Sequence, residues 1–176
     1  NGVNAYGVLM YVSFIFMAFF FGYSIAVTPV VGYHYGAQNH AELKSLLRKS
    51  LIITVLVSLV MTGASVTLAG PIADLFVGYD AALHDMTVNA LRIYSVSFLV
   101  FGFNIFGSAF FTGLNNGTAS ALISFLRTLV FQVAAILLLP RWLDINGIWL
   151  AVTAAESLTL LVTVSLLAAK RRKYHY

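Results

Sequence analysis

From Asn1 to Ala41 the chain carries no Lys, Arg, Asp or Glu. Roughly 20 apolar residues cross the hydrocarbon core of a bilayer as a helix, and Tyr6 to Val31 alone exceeds that length. Water is absent there, so backbone N–H and C=O groups must pair within the protein. Only helices and closed barrels achieve that. A barrel strand is about 10 residues of alternating character, whereas this run is longer and apolar on every side. Four more such runs follow. The chain therefore reads as all-α, a polytopic membrane bundle of five transmembrane helices, at about residues 6–31, 51–68, 87–111, 119–139 and 148–169.

Composition excludes the soluble alternative. Only 9% of residues are charged and 60% are hydrophobic, with a mean hydropathy of +0.91; soluble domains carry about 25% charged residues to cover their surface. Cysteine is absent, so neither a disulfide framework nor a thiolate zinc site is available. No metal or other cofactor is expected, since Asp74, Asp80 and Asp85 match no calcium-loop spacing. They read instead as solvated or helix-start charges, with Asp80 or Asp85 favouring the next helix through its dipole. The first run lacks the basic start and cleavage site of a signal peptide, and the chain reads as a piece of something longer.

Between the spans lie punctuating segments. Pro29 is expected to kink or end the first helix, with His34 in the loop beyond it. Lys44 to Lys49 reads as a basic turn lying at the interface. Pro71 suits the first position of a short helix over 72–77. Asn116-Gly117-Thr118 is formally a glycosylation sequon, set in a tight turn where coincidence explains it. The basic segments at Lys44–Lys49 and Lys170–Lys173 are separated by four spans, and the positive-inside rule puts both in the cytoplasm. A multi-pass protein of a cell membrane, a bacterial inner membrane, with a cytoplasmic carboxy terminus is expected.

Two charges lie deep inside the runs, Arg127 and Glu156. A charge at mid-depth costs several kcal/mol unless it is paired or wet, which makes both candidates for a substrate or ion pathway. Asn104 and Gln132 are the other deep polar groups proposed for it; Asn104 has a second reading, and the favoured one, as a simple hydrogen bond to a neighbouring helix. Helical spacing places Ser120, Ser124 and Arg127 along one side of the fourth span, with Thr128 beside them and Gln132 further along, off that line. Thr153, Glu156, Thr159 and Thr163 share a broad face of the fifth. At ~1.5 Å rise per residue, Arg127 and Glu156 lie at depths of roughly 12 and 20 Å from one side, on adjacent antiparallel helices. A long Arg side chain can bridge that gap, so the two are expected to meet. The meeting has two readings: a structural ion pair, or a switch in which Glu156 releases Arg127 on protonation or on meeting a cationic substrate.

Several short stretches together resemble one family. Gly2-Val-Asn-Ala-Tyr-Gly7, Pro29-Val-Val-Gly32 with Gly36-Ala-Gln-Asn39, Gly70-Pro-Ile-Ala-Asp-Leu-Phe76, Phe101-Gly-Phe-Asn104, Phe110-Phe-Thr-Gly113, Leu126-Arg127 and Gly147-Ile-Trp-Leu-Ala151 with Ala155-Glu156 follow in order across nearly the whole chain. Their order and spacing resemble the carboxy-terminal lobe, helices eight to twelve, of a multidrug and toxic compound extrusion (MATE) transporter. The resemblance implies a fragment of a twelve-helix, two-lobe antiporter that exports amphipathic or cationic drugs in exchange for protons or sodium ions. Its partners would be the organic cation, the coupling ion, the bilayer and the amino-terminal lobe. One branch of the family keeps an acid in helix ten; between Asp85 and Phe111 this chain has only Asn104.

Two other functions fit a lipid-embedded bundle. A lipid-linked oligosaccharide flippase of the same superfamily would need several cavity cations for a pyrophosphate, and only Arg127 lies deep. A non-transporting assembly subunit would use its polar stripes simply to join helices. An enzyme is not expected, because no Ser-His or paired-Asp constellation and no P-loop occurs in the spans. Nucleic acid is not an expected partner.

Overall fold

The computed structural model describes residues 2–176. Eight α-helices account for nearly all of it: α1 (Gly2–Gly36), α2 (His40–Thr67), α3 (Ala69–Val77), α4 (Ala81–Tyr94), α5 (Phe98–Gly113), α6 (Gly117–Phe125), α7 (Gln132–Leu138) and α8 (Pro140–Tyr174). No strand occurs among the described residues. A 3-10 turn, Ser95–Ser97, joins α4 to α5, and a π-helical turn, Leu126–Phe131, joins α6 to α7. These joins make five spans long and apolar enough to cross a membrane: Gly2–Gly36, His40–Thr67, Ala81–Gly113, Gly117–Leu138 and Pro140–Tyr174.

The elements extend beyond the boundaries expected from sequence, for identifiable reasons. α1 does not end at Pro29 but continues to Gly36, so His34 sits on a helix rather than in a loop. Lost backbone pairing at a proline is tolerated in a span when side chains bond nearby carbonyls, and the Thr28 hydroxyl donates to Ser24 O at 2.7 Å. Lys44–Lys49, expected as a basic turn or two, lies in the first turns of α2, which starts at His40. The short helix expected over 72–77 begins at Ala69, with Pro71 in its first turn, where a missing N–H costs nothing.

Three of the turns share one chemistry. Gln38 and Asn115 take positive φ (54° and 57°), and each precedes an Asn whose side chain caps the next helix. Asn39 accepts from Glu42 N and Asn116 from Ala119 N, both at 3.2 Å. Asp80 does the same for α4, accepting from Ala82 N at 3.0 Å and Leu83 N at 3.1 Å. Such caps satisfy amide groups left free at a helix start. The sequon asparagine is thus a helix cap.

The third span, α4 and α5, is the centre of the bundle and its most buried part. Phe98, Phe106, Phe110 and Phe111 are each at most 2% exposed. α1, α2, α6 and α8 all pack against α5. Hydroxyls fasten the outer helices: Ser95 Oγ donates to Ser65 Oγ on α2 at 2.6 Å, and Tyr23 on α1 donates to Ser50 on α2 at 2.9 Å. Glycine permits the closest approach, because a Cβ on Gly113 would lie 2.7 Å from Val31 Cβ and 2.8 Å from Thr28 O. Near its start α8 is bent at Asp144 (φ 48°, ψ −135°). Asn146 is tied there to Asn89 of α4 by a 3.2 Å bond.

Candidate functional site

Glu156 lies on α8 with only 3% of its side chain exposed. Both carboxylate oxygens are engaged. Oε1 accepts from Arg127 Nε at 2.7 Å, and Oε2 accepts from Asn104 Nδ2 at 2.7 Å. The second Asn104 N–H donates to the Glu156 carbonyl at 2.9 Å, and its Oδ1 accepts from the Thr163 hydroxyl at 3.0 Å. Charge-assisted bonds of this length are the strong ones. Every group of the Asn104 amide is used, and the carboxylate fixes which end faces it, since a carboxylate can only accept.

Three spans meet at this point: α5 through Asn104, the π-helical turn through Arg127, and α8 through Glu156 and Thr163. The wider π turn is a feature found often at functional sites. Arg127 is 15% exposed, and its guanidinium lies over the Phe101 ring, 4.5 Å from the centroid. An aromatic face attracts a cation, so Arg127 is held by a carboxylate at Nε and by a ring on its face.

Beside the ion pair is a hydroxyl cluster. Ser108 Oγ lies 2.9 Å from Ser120 Oγ and 3.1 Å from Ser124 Oγ, and Thr112 Oγ1 lies 2.8 Å from Ser120 Oγ. Ser108, Thr112 and Ser124 line, with Ser24, Thr28 and Arg127, a cavity of about 200 Å³ between α1, α5 and α6. Of the three residues that helical spacing aligns, Ser124 and Arg127 share this cavity and Ser120 is joined to Ser124 through Ser108.

Of the four residues singled out from sequence, the structure brings three together: Asn104, Arg127 and Glu156. Gln132 is left out. It is half-buried at the start of α7 and makes no side-chain hydrogen bond among the described residues. Regular helical spacing already puts it off the line of Ser120, Ser124 and Arg127, so depth in the span is its one claim to the site. Sequence reasoning missed the part of Phe101, which carried no signal beyond an aromatic spaced three before Asn104. Asp74 and Asp85, treated as solvated, are exposed but flank His84, at 3.2 Å each. No group of His, Asp and Glu among the described residues is arranged to hold a metal ion.

A protein-family model for MatE matches residues 1–137, most of the chain. The chain belongs to the MatE family. Its fold is that of solved MATE transporters. It superposes on an outward-facing multidrug resistance MATE family transporter of the MOP superfamily at TM-score 0.90, with 22% identity over 98% of this chain. An inward-facing structure of such a transporter gives 0.86 and 22% over 97%. A MOP superfamily transporter from Pyrococcus furiosus, described as having a binding pocket of reversed polarity, gives 0.88 and 20% over 98%. The chain spans about 39% of the length of each. No curated protein sequence matches it.

Proposed function

We propose that this MatE chain forms helices eight to twelve of a two-lobe secondary antiporter, which exports amphipathic or cationic organic compounds against a proton or sodium gradient. The carrying observation is Glu156, a carboxylate 3% exposed and held by Arg127 and Asn104 from two other spans. Such a group is a coupling element, because its charge is stable only while its partners stay in place. Protonation of Glu156, or a substrate cation or sodium ion taking Arg127's place, frees Arg127 and loosens α8 from the π turn. The two ligands then favour different arrangements of the lobe, which is what coupling requires. Near-equal likeness to outward-facing and inward-facing relatives supports a wall that rocks largely as one body.

The basic ends of α2 and α8 face the cytoplasm in this reading. A flippase for lipid-linked sugars is disfavoured, because the one deep cation is already neutralised by Glu156. The test is reconstitution of the full-length protein in liposomes with an imposed proton or sodium gradient and a fluorescent organic cation. Uptake that needs the gradient and is lost on Glu156→Gln supports the reading; gradient-independent movement, or none, opposes it.

A further inference from the structure

α2 and α8 part from one another at the end of the bundle where both are basic, and the gap is a groove of about 850 Å³. Its walls are Leu51 and Ile52 from α2 and Leu160, Val164 and Leu167 from α8, with Phe103 of α5 between them. The mouth is different. Lys44, Arg48 and Arg171 stand around it, all exposed. None of the three is ion-paired among the described residues. Arg171 is steadied by donating its Nε–H to the Tyr176 carbonyl at 3.2 Å. The Tyr176 hydroxyl donates to Leu167 O at 2.9 Å. Burial pushes its pKa up to about 12, so it adds no negative charge to the mouth.

We propose that this groove holds one anionic phospholipid, with its phosphate on Lys44, Arg48 and Arg171 and an acyl chain along the apolar walls. Three cations without a counter-charge repel an organic cation and a second basic helix end alike. An anionic lipid supplies charge and apolar length in one molecule, at the depth where a bilayer places its phosphates. Basic pockets between transmembrane helices recognise lipid headgroups on this principle. The deep end of the groove reaches Thr163, whose hydroxyl bonds Asn104. A seated acyl chain thereby packs against the helix face that carries the Glu156 network. The inference does not depend on what the protein transports.

Native mass spectrometry of delipidated full-length protein, titrated with phosphatidylglycerol or with phosphatidylcholine of the same chains, tests it. The wild type is expected to retain phosphatidylglycerol roughly tenfold or more tightly. Lys44→Ala with Arg48→Ala and Arg171→Ala should abolish that preference. The charge-keeping set Lys44→Arg, Arg48→Lys and Arg171→Lys should keep it, which separates loss of charge from loss of fold. Leu51→Trp, which fills the groove, should weaken retention of both lipids. Equal retention of the two lipids would overturn the proposal, as would an unchanged preference in the alanine set. Displacement of the lipid by millimolar inorganic phosphate would make the mouth a simple anion site and overturn it too. Failure to retain any lipid would show the groove to be filled by another helix, with the same consequence.

Discussion

Replacing Glu156 by Gln changes one atom and should have a large effect. Wild-type Oε1 and Oε2 each accept a 2.7 Å bond, from Arg127 and from Asn104. A Gln amide has one acceptor and one donor end, so either way round it turns an N–H toward another N–H. Arg127 is left without its counter-charge while 15% exposed. Removing one partner of a buried pair costs about 3–5 kcal/mol. The Phe101 face and the residual solvent access offset part of this, which puts Glu156→Gln near ~3 kcal/mol. Arg127→Met strands a more deeply buried carboxylate and belongs nearer ~4 kcal/mol. The double variant leaves no charge and keeps both bonds from Asn104, one to the Gln oxygen and one to the backbone carbonyl, so its cost should be only about 1–2 kcal/mol. The singles then overshoot the double by several kcal/mol. Reversible unfolding of the full-length protein in detergent or by steric trapping measures all four corners of the cycle. Additivity within about 0.5 kcal/mol, the behaviour of independent sites, would refute the reasoning.

Other substitutions test the packing. Gly113→Ala should destabilise by about 1–3 kcal/mol, because its Cβ meets Thr28 O and Val31 in the α1–α5 contact, whereas Gly7→Ala, with nothing nearby, should be neutral or slightly stabilising in the same unfolding assay. A Cβ on Gly107 would collide with Thr163 Cγ2; Gly107→Ala should lower the melting temperature, and adding Thr163→Ser, which removes that methyl but keeps the hydroxyl for Asn104, should restore part of it. Asp80→Ala should cost about 1 kcal/mol by removing the α4 cap, and Asp80→Ser much less.

The five spans were legible because lipid leaves so few solutions for an uncharged run such as Tyr6–Val31. Their ends were less so. Pro29 reads as a breaker from local chemistry, yet Thr28 and the packing against α5 carry α1 onward to Gly36. The basic residues 44–49 read as a turn or two on their own, but the Asn39 cap starts α2 before them and the helix runs on through Thr67. At the site, the depth of Arg127 and Glu156 could be counted from rise per residue because one charge stands in each of two neighbouring spans. Gln132 stands off the Ser120–Arg127 line by regular spacing, and depth alone does not bring a polar group to the site. The cation–ring contact at Phe101 was hidden among 14 Phe residues of the same appearance.

The most direct test of the coupling role is transport by the double variant Glu156→Gln with Arg127→Met, in liposomes under an ion gradient. It is chosen because its fold should be close to intact. If the pair couples ion and substrate, the variant is expected to be as stable as the cycle above predicts and to have lost gradient-driven uptake. Wild-type uptake by that folded variant would contradict the account and leave the pair as structure alone.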